Sequence, residues 1–143
     1  MKKGFTLIEL MVVMAIIAIL SSIALVGIGK MQAMARDTKR ASIMNGVRTA
    51  LERYYADNQT YPDAPSPNWS SLTNALINYI TIPNDPCAGG NTPIGADGTV
   101  AGCTGVQYEY IKGNSGSCTN TNGYALILHR ESGGTNQYFC SPL

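Results

Sequence analysis

From Leu10 to Gly29 the chain carries no charged side chain, and immediately before that run stands one carboxylate, Glu9. Twenty apolar residues are the length of a helix that crosses a bilayer. Lys2 and Lys3 precede the run, so the positive-inside rule places the N-terminus in the cytoplasm and whatever follows on the far side. A secretory signal peptide fits less well. Ser22-Ile23-Ala24 is a weak cleavage pattern, and the helical pattern continues past it. A plain membrane anchor leaves Glu9 unexplained, because a carboxylate in hydrocarbon costs several kcal/mol unless it is paired.

Only 13% of the 143 residues are charged, and the net charge is +1. No overall field therefore draws the chain to nucleic acid. Beyond the first thirty residues the composition turns to Gly, Asn, Ser, Thr, Pro and Tyr. This predicts an apolar N-terminal element joined to a polar, loop-rich head. All four cysteines, Cys87, Cys103, Cys118 and Cys140, lie in the head. They show no C-x-x-C pair, and His129 lies apart from them, so the pattern is not that of a zinc site. An even count in an exported head predicts two disulfides. Three pairings are open, and we expect the sequential one, Cys87–Cys103 and Cys118–Cys140.

The stretch Gly4-Phe5-Thr6-Leu7-Ile8-Glu9-Leu10 behind a short basic leader resembles the prepilin signature of bacterial type IV pilins and the related pseudopilins of type II secretion. The resemblance implies an α+β fold: a long N-terminal helix with a protruding apolar half, its second half packed on a C-terminal antiparallel sheet. It implies that a prepilin peptidase cuts between Gly4 and Phe5 and methylates the new amino group of Phe5. The mature chain then waits in the inner membrane and is extracted into an extracellular helical filament. Glu9 would be neutralised by the amino terminus of Phe5 in an adjoining copy, so that a subunit out of register leaves a carboxylate unpaired. The partners implied are further copies of the chain, the peptidase, the pilus assembly platform and its separate ATPase. Pilins often carry a proline past the middle of the apolar run. Here Val26 holds that place, with Gly27 and Gly29 beside it as points of either flexibility or close helix packing.

From Lys30 to Ala56, Met34, Ala41, Met44, Val47, Leu51, Tyr54 and Tyr55 recur at helical spacing, which predicts one continuous helix from Phe5 to Ala56. Lys30, Arg36, Lys39, Arg40, Arg48 and Arg53 fall mostly off this stripe, with Asp37 and Glu52 among them. We read the cluster at Arg36–Arg40 as solvated or inter-subunit charge rather than a nucleic-acid site. Asp57 to Pro62 ends the helix. A short helix is expected over Trp69–Ile80 with Ser70 or Ser71 as N-cap, and a loop over Pro83–Gly102. A further strand is expected between Thr92 and Val100. Asp85, Asn91 and Asp97 fall in this loop, where some pseudopilins bind calcium, but their spacing is not that of an EF-hand, and no metal or other cofactor is assigned. Asn58-Gln59-Thr60 and Asn68-Trp69-Ser70 match the N-glycosylation pattern, which arises often by chance.

Alternation over Val106–Tyr110 and Tyr124–His129, and the segment Gln137–Cys140 after the turn Ser132–Asn136, predict three antiparallel strands. His129 has no nucleophile in a matching context, so no catalytic site is assigned and an enzyme is not expected. The eight tyrosines are expected in the core and in subunit contacts. The organisation is thus a leader over 1–4, a membrane and filament-core helix over 5–29, an amphipathic helix over 30–57, a loop region with a short helix over 58–105 and a sheet with disulfides over 106–143. The function expected is a type IV pilus subunit. The alternatives are a pseudopilin, or a minor pilin whose head binds a ligand or DNA.

Overall fold

Two helices lie within the first 58 residues, α1 (Leu7–Leu25) and α2 (Ile28–Asn58). The computed structural model describes residues 4–25, 28–63, 69–87 and 90–142. Whether the helix runs unbroken through Val26 and Gly27 lies outside the described residues. The chain divides into two units, one through Gln32 and one from Ala33 onward. In the first unit, α1 bears apolar side chains on every face, and Leu7, Ile8, Leu10, Met11, Met14 and Ile16 are all exposed. Among the described residues no helix is long and apolar enough to cross a membrane. The run expected to do so, Leu10–Gly29, includes the two residues left undescribed.

The second unit is an α+β head. The part of α2 within it presents Ala33, Asp37, Arg40, Met44, Val47, Ala50 and Leu51 to the interior. These recur at steps of three and four, which keeps them on one face. The helix ends at Asn58, and Gln59 adopts a left-handed conformation with φ 57° that closes the terminus. A short helix, α3 (Trp69–Ala75), follows. Ser70 and Ser71 therefore lie inside the helix and do not cap it, and the Ser70 amide donates instead to the Ala96 carbonyl at 3.0 Å.

The segment expected as loop contains a small hairpin, β1 (Asp85–Cys87) with β2 (Gly90–Thr92). Strands of three residues, one holding Pro86, have no periodicity to read. They persist because Asp85 and Cys87 are each fastened elsewhere. The strand expected between Thr92 and Val100 is reduced to isolated bridges, Ile94 to Val100 and Thr99 to Gln107. Gly98 sits here at φ +81°, against the backbone of Tyr108, where a Cβ would collide with the Tyr108 carbonyl. Only glycine fits both the dihedral and the space.

Three strands, β3 (Gln107–Lys112), β4 (Tyr124–His129) and β5 (Gln137–Cys140), form an antiparallel meander in the order β3-β4-β5. Register pairs Tyr108 with Leu128, Tyr110 with Leu126, and Leu126 with Phe139. Tyr108, Tyr110, Tyr124, Leu126 and Leu128 join Met44, Val47 and Leu51 of α2 in one core with Leu72 and Leu76. The disulfides Cys87–Cys103 and Cys118–Cys140 lie in this unit. The second fastens β5 to the turn that leads into β4. Replacing Cys118 and Cys140 together by serine removes a closure of 22 residues. This is expected to lower head stability by about 3 kcal/mol in a denaturant titration of the full chain.

Candidate functional site

The N-terminus of α1 is built from four consecutive residues. Thr6 is the N-cap. Its hydroxyl accepts from the Glu9 amide at 3.4 Å, and the Glu9 carboxylate accepts from the Thr6 amide at 2.9 Å and from its hydroxyl at 2.7 Å. This is a reciprocal capping box, Thr-x-x-Glu, which satisfies donors that a helix otherwise leaves free. The pattern Thr6-Leu7-Ile8-Glu9 is legible in the sequence as a cap, whereas the prepilin resemblance points Glu9 to the amine of an adjoining copy in the filament. Within a single chain its partner is Thr6. Gly4 and Phe5 precede the cap in an exposed stretch, Phe5 being 86% exposed. A Cβ added at Gly4 would meet nothing within 4 Å, so the peptide bond between these residues is open to approach.

The head is organised around a charge that sequence patterning reads as solvated or inter-subunit. Arg40 is fully buried. Its Nε and Nη2 donate to the two carboxylate oxygens of Asp85 at 2.7 and 2.8 Å. Nη1 donates to Asp37 at 2.9 Å and to Glu131 at 2.8 Å. Arg36 donates to the same Glu131, by Nε at 2.9 Å and Nη2 at 2.5 Å. Asp37 also accepts from the amides of Glu131 and Ser132 at 3.1 and 3.0 Å. The Tyr108 hydroxyl completes the set, donating to Asp85 at 2.5 Å. The planar guanidinium fork matches a carboxylate with two parallel bonds, as lysine cannot. The reading of Arg36–Arg40 as solvated or inter-subunit charge is therefore corrected for Arg36 and Arg40, whose acids belong to the same chain. Met34 is likewise corrected: it is 54% exposed, while Asp37 and Arg40 occupy the inward face.

Burial pushes the Arg40 guanidinium toward the neutral form, but its bonds to Asp85, Glu131 and Asp37 outweigh this and raise its pKa. Burial likewise pushes the Asp37 carboxyl up. The Ser132 and Arg40 hydrogen bonds overcome it and hold Asp37 below the usual carboxylate range. Glu131 is held low chiefly by the hydrogen bond from Arg36, against desolvation.

A second polar anchor sits further along α2. Glu52 accepts from the hydroxyls of Tyr61 at 3.1 Å and Tyr124 at 2.8 Å, whose rings pack edge to face at 4.8 Å. The Tyr110 hydroxyl donates to the Pro62 carbonyl at 2.8 Å, so it ties the end of the helix to the sheet. Tyr61, Tyr108, Tyr110 and Tyr124 are core residues, and Tyr138 is exposed. His129 and Glu109 lie 3.1 Å apart on one face of neighbouring strands. Asp85, Cys87 and Cys103 gather closely enough to suggest a metal, but the two sulfurs are bonded to each other and Asp85 is held by Arg40 and Tyr108. Asp97 is engaged with the Thr99 amide and hydroxyl.

Replacing Arg40 by Met leaves Asp37 and Asp85 buried without their cation. The expected loss is about 3–5 kcal/mol of head stability, read by denaturant unfolding. The acid response follows from the lowered carboxyls. Asp37 and Glu131 contribute stability that is fully present above the ordinary carboxyl pKa of about 4 and is lost as pH falls through their lower folded values. A titration of unfolding midpoint against pH is expected to fall below about pH 4. Glu131→Gln is expected to make that fall shallower.

Residues 1–25 match the family described as the prokaryotic N-terminal methylation motif. The chain is 40% identical over 83 residues to fimbrial protein EcpC of Eikenella corrodens, covering 57% of this chain and 54% of that one. It is 37% identical over 88 residues to type IV major pilin protein PilE of Neisseria gonorrhoeae, covering 59% and 53%. It is 38% identical over 61 residues to type IV major pilin protein PilA of Myxococcus xanthus, covering 43% and 28%. The chain thus spans about half the length, or less, of these curated relatives. No solved structure matches it. The methylation motif, the likeness to fimbrial and major pilin proteins, and the helical N-terminal part followed by an antiparallel three-stranded sheet are the features in which this chain resembles the type IV pilins.

Proposed function

We propose that the chain is the structural subunit of a type IV pilus filament, polymerising through its N-terminal helix after a prepilin peptidase cuts between Gly4 and Phe5. The observation that carries this reading is the character of α1: apolar on every face, its large side chains exposed from Leu7 to Leu20, and headed by one carboxylate. Apolar surface on this scale calls for cover by lipid or by like helices. A bundle of such helices supplies it, with the inner membrane as the earlier environment and the extracellular filament as the later one.

Cleavage exposes a charged amine on Phe5 beside the helix N-terminus, and a separate methyl-transfer step then methylates it. The amine of one copy meets Glu9 of the next. In a dry bundle that pair fixes the axial step, because any other register buries an unpaired carboxylate. The capping box offers Glu9 a partner within its own chain before that exchange. Since Thr6 lies beyond the cut, the cap survives processing. The head presents the outer surface. Extraction and addition of subunits fall to an assembly platform and its ATPase.

Electron microscopy of surface filaments sheared from the producing cells, with mass spectrometry of their main subunit, tests the reading. Long filaments built mainly of this chain and beginning at N-methylated Phe5 are expected. Processed chain without long filaments would redirect the role to a pseudopilin or minor pilin, and an intact leader would overturn it. Glu9→Ala is expected to leave cleavage at Phe5 intact while reducing filament yield by at least tenfold, about 1.4 kcal/mol of register energy or more.

A further inference from the structure

We propose that Arg40 gives the Cys87–Cys103 bridge a direction. Cys103 is the sulfur that leaves as thiolate when the bridge opens and attacks when it closes, and Cys87 is the sulfur that an outside thiol meets. A guanidinium has five N–H donors. Four of those on Arg40 go to carboxylates: two to Asp85, one to Asp37 and one to Glu131. The fifth, on Nη2, donates to the Cys103 Sγ at 3.5 Å. The Cys87 sulfur has a different neighbour, the carbonyl oxygen of Ala101 at 4.0 Å.

These contacts sort the two sulfurs once the bond between them is broken. A thiolate is an acceptor and is stabilised by a cationic N–H, whereas a thiol is a weak donor and suits a carbonyl oxygen. Cys103 is therefore placed to carry the charge, and Cys87 to carry a proton. Asp85 does not reverse that order. Its carboxylate lies within 4.8 Å of both sulfurs, so its field bears on both. Its charge is already met by two Arg40 donors and the Tyr108 hydroxyl. Asp37 and Glu131 are bound by the other terminal nitrogen of Arg40, Nη1. The grip on Asp85, two residues from Cys87, also holds the hairpin in place while the bridge is open. Both cysteines are 7% exposed, and Ala101, Gly102, Thr104 and Gly105 around Cys103 are exposed, so the bridge lies just beneath a surface turn.

With glutathione as reductant, its thiolate bonds to the Cys87 sulfur, the S–S bond breaks, and the electron pair leaves on Cys103. A second glutathione thiolate attacks the first, forms glutathione disulfide, and releases Cys87, which takes up a proton. The bridge gains two electrons and two glutathiones are oxidised. In the reverse direction the Cys103 thiolate attacks the mixed disulfide on Cys87 and expels glutathione. The better-stabilised thiolate leaves faster, which sets the direction.

The test is brief exposure of the oxidised full chain, in detergent micelles at neutral pH, to glutathione, followed by acid quenching and peptide mass spectrometry. Glutathione is expected on Cys87 roughly ten times as often as on Cys103. Equal loading, a preference for Cys103, or a bridge that glutathione does not open in the folded chain overturns the proposal. Two variants separate charge from access. In Cys87→Ser the free Cys103 is expected to form thiolate, read by its ultraviolet absorbance, at lower pH than the free Cys87 does in Cys103→Ser. The same pH for both, or the opposite order, overturns the proposal as well. None of these outcomes depends on whether filaments form.

Discussion

One guanidinium holds the head in register. Arg40 leaves α2 and meets carboxylates from three directions: Asp37 on its own helix, Asp85 in the short hairpin, and Glu131 in the turn after β4. A buried ion network of this kind contributes specificity more than net stability, because desolvation offsets much of the attraction. Its value lies in the arrangements it forbids. If the turn after β4 shifts, Glu131 leaves both Arg36 and Arg40. If the hairpin shifts, Asp85 is stranded in the core with the Tyr108 hydroxyl. The apolar residues around it would tolerate several packings, and the ions admit one.

The elements that sequence patterning captured are those with a period. The strands from Tyr124 to His129 and from Gln137 to Cys140 coincide with β4 and β5, and Val106 to Tyr110 overlaps β3. Alternation of side chains over five or six residues has one cheap explanation in a half-buried sheet. The inward face of α2 was read only in part. Its spacing of 33, 37, 40, 44, 47 and 51 is regular, but charge at two of the six positions, Asp37 and Arg40, reads in the sequence as solvated or inter-subunit charge. The Asp37-x-x-Arg40 pair, one turn apart, was the available sign that each could neutralise the other in the interior. The β1–β2 hairpin had no local sign at all. It rests on an ion pair to a residue 45 positions away and on a disulfide, and neither leaves a mark in a short window.

At the other end of the chain a short motif serves two demands. Thr6 and Glu9 satisfy each other at the start of α1, which makes a carboxylate tolerable at the head of an apolar helix. The same carboxylate is the group a neighbouring chain would seek in the proposed filament. The two uses differ in strength in a useful order. A neutral hydroxyl and an amide hold the carboxylate modestly, and a cationic amine in a dry bundle holds it more firmly. The local cap can therefore give way without any other part of the helix having to rearrange.

The two disulfides also set how far the head can be drawn out by a mechanical load. They bridge residues 16 and 22 positions apart, and together they withhold roughly 130 Å of extended chain from any pull on the backbone ends. The first loop begins at Cys87, two residues from Asp85, where the hairpin is also gripped by Arg40. The second, closed by Cys118 and Cys140, encloses β4 and β5. Under tension the strands inside these loops cannot be peeled apart to full contour length, so the sheet retains short, closed segments from which it can re-form.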